Sequence, residues 1–320
     1  MNGAGGHTVS AEAFEAGLAR AQAGAPADPD QGMFGPGTVY WRVTREAALF
    51  LGAGRATLLQ LAHPFVAQAV ADHSTTREDP FGRFHRTFSQ VYAMTFGTRG
   101  QALDSARQVR RIHEHIEGRL GEDAGAFPAG SPYLANDAQA LMWVWSTLSE
   151  TSVLIYEAVV RPLEASERED YYAASRRFAL LFGVPEENLP EDWRAFRQWC
   201  REMQNSSVLT VTGPGRELAR FVLHETKLGP VKGVPKWYLA LTASLMPAHL
   251  RARFGLDWNR REEARAVKAV RRLRRFYRFT PPRLRYVAPW WEARARIRGR
   301  EQPDRLTRAL NRVWIGREAL

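Results

Sequence analysis

Chemistry in this chain starts with a histidine on an apolar helix face. Ala102, Ala106, Val109, His113 and Ile116 follow one another at steps of four, three, four and three. That spacing puts all five on one side of a helix. His113 therefore points inward. His115, two residues on, lies about 200° around the axis with the polar set. A buried imidazole needs a partner for each ring nitrogen. A core histidine bonded to its neighbours meets that need. So does an iron ligand, because neutral imidazole is a common axial ligand of haem.

A second group lies in Asp79-Pro80-Phe81-Gly82-Arg83-Phe84-His85-Arg86-Thr87. Asp79 suits a helix cap and Pro80 the first helical position. Arg83, Arg86 and Thr87 stand at i, i+3 and i+4, so they share one patch, while Phe84, Phe88 and Val91 line a separate apolar stripe. Two neighbouring guanidiniums repel unless an anion lies between them. A propionate, a phosphate or an acidic side chain could be that anion. A plain pair of surface arginines fits the same spacing.

Gly52-Ala53-Gly54-Arg55-Ala56-Thr57 imitates a dinucleotide-binding loop but reads as mid-helix. Its glycines predict a surface that another helix or a flat cofactor approaches closely. His63 and His73 are further possible ligands, and His63 before Pro64 is equally a polar end-cap. No Gly-x-Ser-x-Gly elbow, Glu-x-x-His pair, His-Glu-x-x-His motif or paired Cys-x-x-Cys occurs. α/β-Hydrolase, di-iron bundle and zinc chemistry are disfavoured accordingly.

These residues need elements to hold them. From Tyr40 onward apolar residues recur every three to four positions, and no alternating strand pattern competes. The expected class is all-α. Helices are predicted over roughly 44–62, 64–73, 80–96, 99–117, 137–160, 167–182, 190–204, 215–226, 234–254, 258–278 and 289–300. Ser166 with Glu169 suggests a capping box, Gly183 before Pro185 a stop, and Asn136 or Asp137 a cap after a glycine-rich loop. Residues 1–36 are rich in Gly, Ala, Asp and Pro and are expected to form a flexible tail. Residues 37–320 are expected to form one globular helical domain.

Composition narrows the setting. The 320 residues are 45% hydrophobic and 25% charged, with one cysteine, Cys200. No intramolecular disulfide can form, and a reducing, cytoplasmic setting is expected. Met1 to His7 has neither a basic start nor an apolar core, so no secretory leader is expected. No stretch reaches the roughly 20 apolar residues that cross a bilayer. The net charge of +11 is concentrated late, in Arg271-Arg272, Arg274-Arg275, Arg283, Arg285, Arg294, Arg296, Arg298 and Arg300. A solvated helix face accounts for such a tract. Peripheral contact with an anionic membrane, with Trp290 and Trp291 at the interface, is the alternative. Nucleic acid is a weaker one, for no zinc-finger spacing or RNA-binding fingerprint accompanies the arginines.

Several segments, taken in order, resemble the catalytic domain of the MpaB and latex-clearing-protein (rubber oxygenase) family. They are Glu46 ahead of Gly52-Ala53-Gly54-Arg55-Ala56, then Leu59 to Pro64, Asp72-His73-Ser74 and Asp79-Pro80. Arg83 to Thr87, Val109 to His113, Tyr133 to Asp137, Trp143-Val144, Tyr171-Tyr172 and Leu181 to Pro185 continue the set. The resemblance is strongest over residues 40–205. It implies a helical fold holding haem b through one axial histidine, with dioxygen used to cleave double bonds of isoprenoid chains. It makes His113 the iron ligand, places Arg83 and Thr87 in the haem pocket, and gives Arg86 and Thr87 the catalytic positions. Two departures weaken the reaction more than the cofactor. Rubber oxygenases carry lysine where Arg86 stands, and Phe65-Val66-Ala67-Gln68-Ala69 offers no match for their distal glutamate. Trp145 also stands where many members show histidine.

The leading expectation is a haem b-dependent oxygenase acting on a small apolar, isoprenoid-like alkene. A haem or lipid carrier without turnover is the first rival. A basic helical module without cofactor is the second.

Overall fold

The all-α class expected from the sequence holds in the computed structural model, which describes residues 8–228 and 231–320, though several helices are broken or added. The chain begins with α1 (Ala11–Ala23), capped by Ser10, whose hydroxyl accepts from the Ala13 amide at 3.1 Å. Phe14, Leu18 and Ala21 recur at helical spacing and are buried. They belong to the same core cluster as Trp41, Leu141 and Phe178. The flexible tail expected over residues 1–36 is thus corrected for its described part, from Thr8 on. Three apolar residues on one stripe are enough to dock the helix despite the glycines and prolines around it.

Next come α2 (Val39–Thr44), a 3-10 segment (Ala47–Gly52) and α3 (Ala53–Leu61). A single helix over 44–62 was expected, but Arg45 ends α2 and the chain tightens through Gly52. Then follow α4 (Pro64–His73), α5 (Pro80–Phe96) and α6 (Arg99–Glu114). Asp79 caps α5 by accepting from the Gly82 amide at 2.8 Å, with Pro80 at the first helical position. Thr98 and Gln101 form a capping box for α6. A short antiparallel pair, β1 (Glu117–Arg119) and β2 (Pro132–Leu134), closes the loop that follows, with Gly118 opposite Tyr133.

The central element is α7 (Ala138–Val159), capped by Asp137. It is buried on most sides, which is why its sequence is apolar almost all round. Around it lie α8 (Ala165–Phe182) and α9 (Trp193–Gln204). The box at the start of α8 is made by Glu164 and Glu167, not by Ser166 and Glu169. Glu169 instead accepts from the Trp193 amide at 3.0 Å. Gly183 ends α8 at φ 94°, a left-handed conformation that glycine adopts without strain.

The last third holds α10 (Gly213–Arg220), which runs into a π turn (Phe221–Glu225). The pair β3 (Lys227–Leu228) and β4 (Val231–Lys232) follows. Then come α11 (Lys236–Ser244), α12 (Ala248–Arg253), α13 (Arg260–Tyr277), α14 (Pro282–Arg285), α15 (Ala288–Ile297) and α16 (Arg305–Ile315). Trp290, expected at a membrane interface, is 5% exposed in the core. Arg45 and Arg294 lie over its ring, each 4.9 Å from the centroid, and Trp291 stacks against Arg283. Among the described residues no helix is long and apolar enough to cross a membrane.

Candidate functional site

The glycines of the 52–57 segment are read most directly. A Cβ on Gly52 would strike Thr151 and Ile155 of α7, and one on Gly54 would strike Thr242 of α11. Two helices, not a cofactor, fill the space that the missing side chains leave. Arg55, which interrupts the apolar run, is only 3% exposed and donates to Glu150 of α7 and to the Leu245 carbonyl. Arg197 pairs with the other oxygen of Glu150. Sequence reasoning missed Glu150, because one carboxylate in an apolar helix announces nothing until its partner is known.

Arg83 and His113 both lie toward the open end of the α5–α6 hairpin. Midway along it, the Ser105 hydroxyl donates to the Gln90 carbonyl at 3.0 Å and fixes the register. From there, nearly equal lengths of helix lead to Arg83 on α5 and His113 on α6. The antiparallel pairing therefore brings the two to the same level, although thirty positions separate them in the chain.

His113 is largely buried beside Phe182, with ring centroids 6.0 Å apart at near right angles. Burial pushes its pKa down to about 4, against the pull of a hydrogen bond to the Asn136 side chain, and Arg110 adds to the lowering. The ring is thus neutral at neutral pH, the form a metal ligand requires. Asn136 was noted in the sequence only as a cap, a role that Asp137 takes. His115 is exposed and bonds back to the Arg111 carbonyl at 2.8 Å, as its position on the polar face requires.

Arg83 donates to the Thr76 hydroxyl and is largely buried. Desolvation and then the nearby Arg86 both push its pKa down. Among the described residues no carboxylate pairs with it. Arg86 has an anion, Asp79 at 3.2 Å, and also donates to Thr75 at 2.8 Å. The acidic side chain anticipated between two arginines thus exists, but it serves only the outer one. Thr87 is exposed, one turn beyond Arg83.

The other histidines separate clearly. His63 sits at the N-cap of α4 but makes no capping bond, so the end-cap role is not taken up. It is 1% exposed, its Nδ1 lacks a hydrogen-bond partner, and burial pushes its pKa down to about 4. Phe65 and Phe127 pack around it. Ile116 packs in the same aromatic cluster, and its amide donates to the His113 carbonyl at 3.1 Å. His73 is engaged by the Glu117 carbonyl and the Tyr133 hydroxyl, and His85 by the Val313 carbonyl. Trp145 is core, packed on Phe196. Among the described residues no three of His, Cys, Asp and Glu converge in a metal-binding group.

Comparison with known proteins gives a consistent picture. The family model "ER-bound oxygenase mpaB/B'/Rubber oxygenase, catalytic domain" matches residues 41–279. Uncharacterized proteins of Mycobacterium bovis and Mycobacterium tuberculosis are each 27% identical to the chain over 251 residues. These alignments cover 75% of this chain and 94% of theirs. No solved structure matches.

Proposed function

The chain belongs to the MpaB and rubber-oxygenase catalytic-domain family, whose domain is that of an oxygenase, and from this premise we propose that it is a haem b-dependent oxygenase acting on a small apolar, isoprenoid-like alkene. One observation carries the cofactor reading. A neutral, largely buried imidazole and a largely buried arginine without a carboxylate stand at the same end of one helical hairpin. A porphyrin presents an iron that takes imidazole and propionates that take guanidinium, so the donor set fits haem.

His113 would hold the iron, with Asn136 fixing the ring's orientation through its hydrogen bond. Arg83 would take a propionate and Thr87 would add a hydrogen bond. Bound haem supplies the activation of dioxygen; the protein supplies orientation and a dry pocket. Phe65, Phe127 and Ile116 give the neighbourhood an apolar wall suited to an alkene. A guanidinium at position 86 would stabilise negative charge and is no proton acceptor. If a base is needed, His63 is the histidine whose Nδ1 has no hydrogen-bond partner among the described residues.

The test is the absorption spectrum of protein expressed with ample haem precursor, followed by oxygen uptake with short isoprenoid alkenes. A Soret band that His113→Ala abolishes and His115→Ala keeps is the expected result. Equal haem content in both variants would overturn the ligand assignment. Haem without oxygen uptake on any alkene would favour the carrier.

A further inference from the structure

The basic tract leaves one feature that the oxygenase reading does not use. A cleft of about 1070 Å³ lies between α13, the end of α7 and the end of α11. Its inner wall is apolar, from Val159, Val160, Ala266 and Val270. Its rim carries Arg271, Arg274, Arg275 and Arg278 against one carboxylate, Glu263. Among the described residues none of those four arginines is in an ion pair, whereas Arg285, deeper in, is neutralised by Glu46 at 2.9 Å.

The cleft is remote from the candidate haem site. It opens beside Val159, the last residue of α7, while Asn136 and His113 lie at the other end of that helix. Twenty-two residues at about 1.5 Å each separate the two by roughly 30 Å. Nothing bound here could touch the iron.

We propose that this cleft is a second binding site, for an amphiphile with an anionic phosphate or carboxylate headgroup and an apolar chain. Charge complementarity argues for the headgroup, since four unpaired guanidiniums on one helix repel one another until an anion lies among them. The apolar wall argues for the chain, because burying methylenes there removes them from water. The volume, just above the usual range of ligand cavities, accommodates a chain of a dozen or more carbons. Solvated arginines alone would need no apolar cleft behind them.

The experiment is calorimetric titration of the full chain with dodecyl phosphate below its micelle concentration, with dodecanol, inorganic phosphate and phosphatidylglycerol vesicles as parallel arms. Dodecyl phosphate should bind one to one. Dodecanol and inorganic phosphate should each bind at least about tenfold more weakly, as chain and headgroup are both needed. The Arg274→Ala/Arg278→Ala double variant should lose about tenfold in affinity. Val270→Trp, which fills the wall and leaves the arginines in place, should lose as much, with unchanged far-ultraviolet circular dichroism in both. Equal binding of dodecanol or of inorganic phosphate would overturn the proposal. So would unchanged affinity in the double variant. Vesicle binding with no binding of dodecyl phosphate would overturn it in favour of a membrane-surface patch.

Discussion

Arg55 of α3 and Glu150 of α7 are an ion pair with both side chains 3% exposed, the guanidinium Nη2 donating to a carboxylate oxygen at 2.5 Å. Arg197 and Gln204 donate to the same carboxylate, Gln204 at 3.0 Å. Desolvating such a pair is costly, so it adds little net stability, yet removing Arg55 leaves the buried Glu150 to the partly exposed Arg197 as its remaining counter-ion. Arg55→Met should therefore cost about 3–5 kcal/mol in urea denaturation. Glu150→Leu on that background should recover part of the loss. A loss under 1 kcal/mol for Arg55→Met would show that water reaches the site.

Gly52 sits where α7 comes closest. Gly52→Ala should cost about 1–3 kcal/mol, as overpacked cores do. Thr151→Ser removes the methyl that the new Cβ would strike and keeps the hydroxyl that accepts from Arg55. The double variant should be more stable than Gly52→Ala alone. Additive losses would place the strain elsewhere.

His63 predicts a pH dependence of stability. Burial lowers its folded-state pKa from 6.5 to about 4. The unfolded chain binds a proton over that interval and the folded chain does not. Its contribution is therefore full above about pH 6.5 and is lost as pH falls toward 4, with a slope of at most about 1.4 kcal/mol per pH unit. His63→Leu should flatten the profile of unfolding free energy between pH 7 and 5 by that amount. An unchanged slope would mean that the imidazole is hydrated in the folded state.

Arg83 and Arg86 should differ in haem retention. Arg83 is the inner arginine, without a carboxylate; Arg86 is already paired with Asp79. A charge-assisted hydrogen bond contributes roughly 1.5–3 kcal/mol. Arg83→Met should speed haem transfer to an acceptor protein by tenfold or more, and Arg86→Met by little. Indistinguishable transfer rates would contradict the propionate assignment.

Leu18 tests the N-terminal helix. It is fully buried, so Leu18→Ala should cost about 2–5 kcal/mol. A change under 0.5 kcal/mol would return this helix to the status of a loose appendage.

Local signals carried much of the fold. Asp79-Pro80, Asp137 and Gly183 end or begin helices through bonds made within a few residues, so spacing alone reveals them. The α1 stripe was overlooked because three apolar positions among glycines and prolines look the same whether or not a partner waits. Trp290 and Trp291 carry the mirror ambiguity. An aromatic pair among arginines suits a membrane interface, and here guanidiniums of the same chain stack on both rings.

By itself the sequence determined most of the central helices, their inward faces and the inward direction of His113, because these follow from a 3.6-residue period and from caps that span three or four positions. It could not decide which inward faces meet. The choice of Thr151 and Thr242 as the neighbours of the glycines, and of Glu150 as the counter-ion of Arg55, was made by tertiary packing. Burial strengthens electrostatics and bars water, so an arginine's chemistry depends on what lies across a helix interface, often a hundred positions away in the chain.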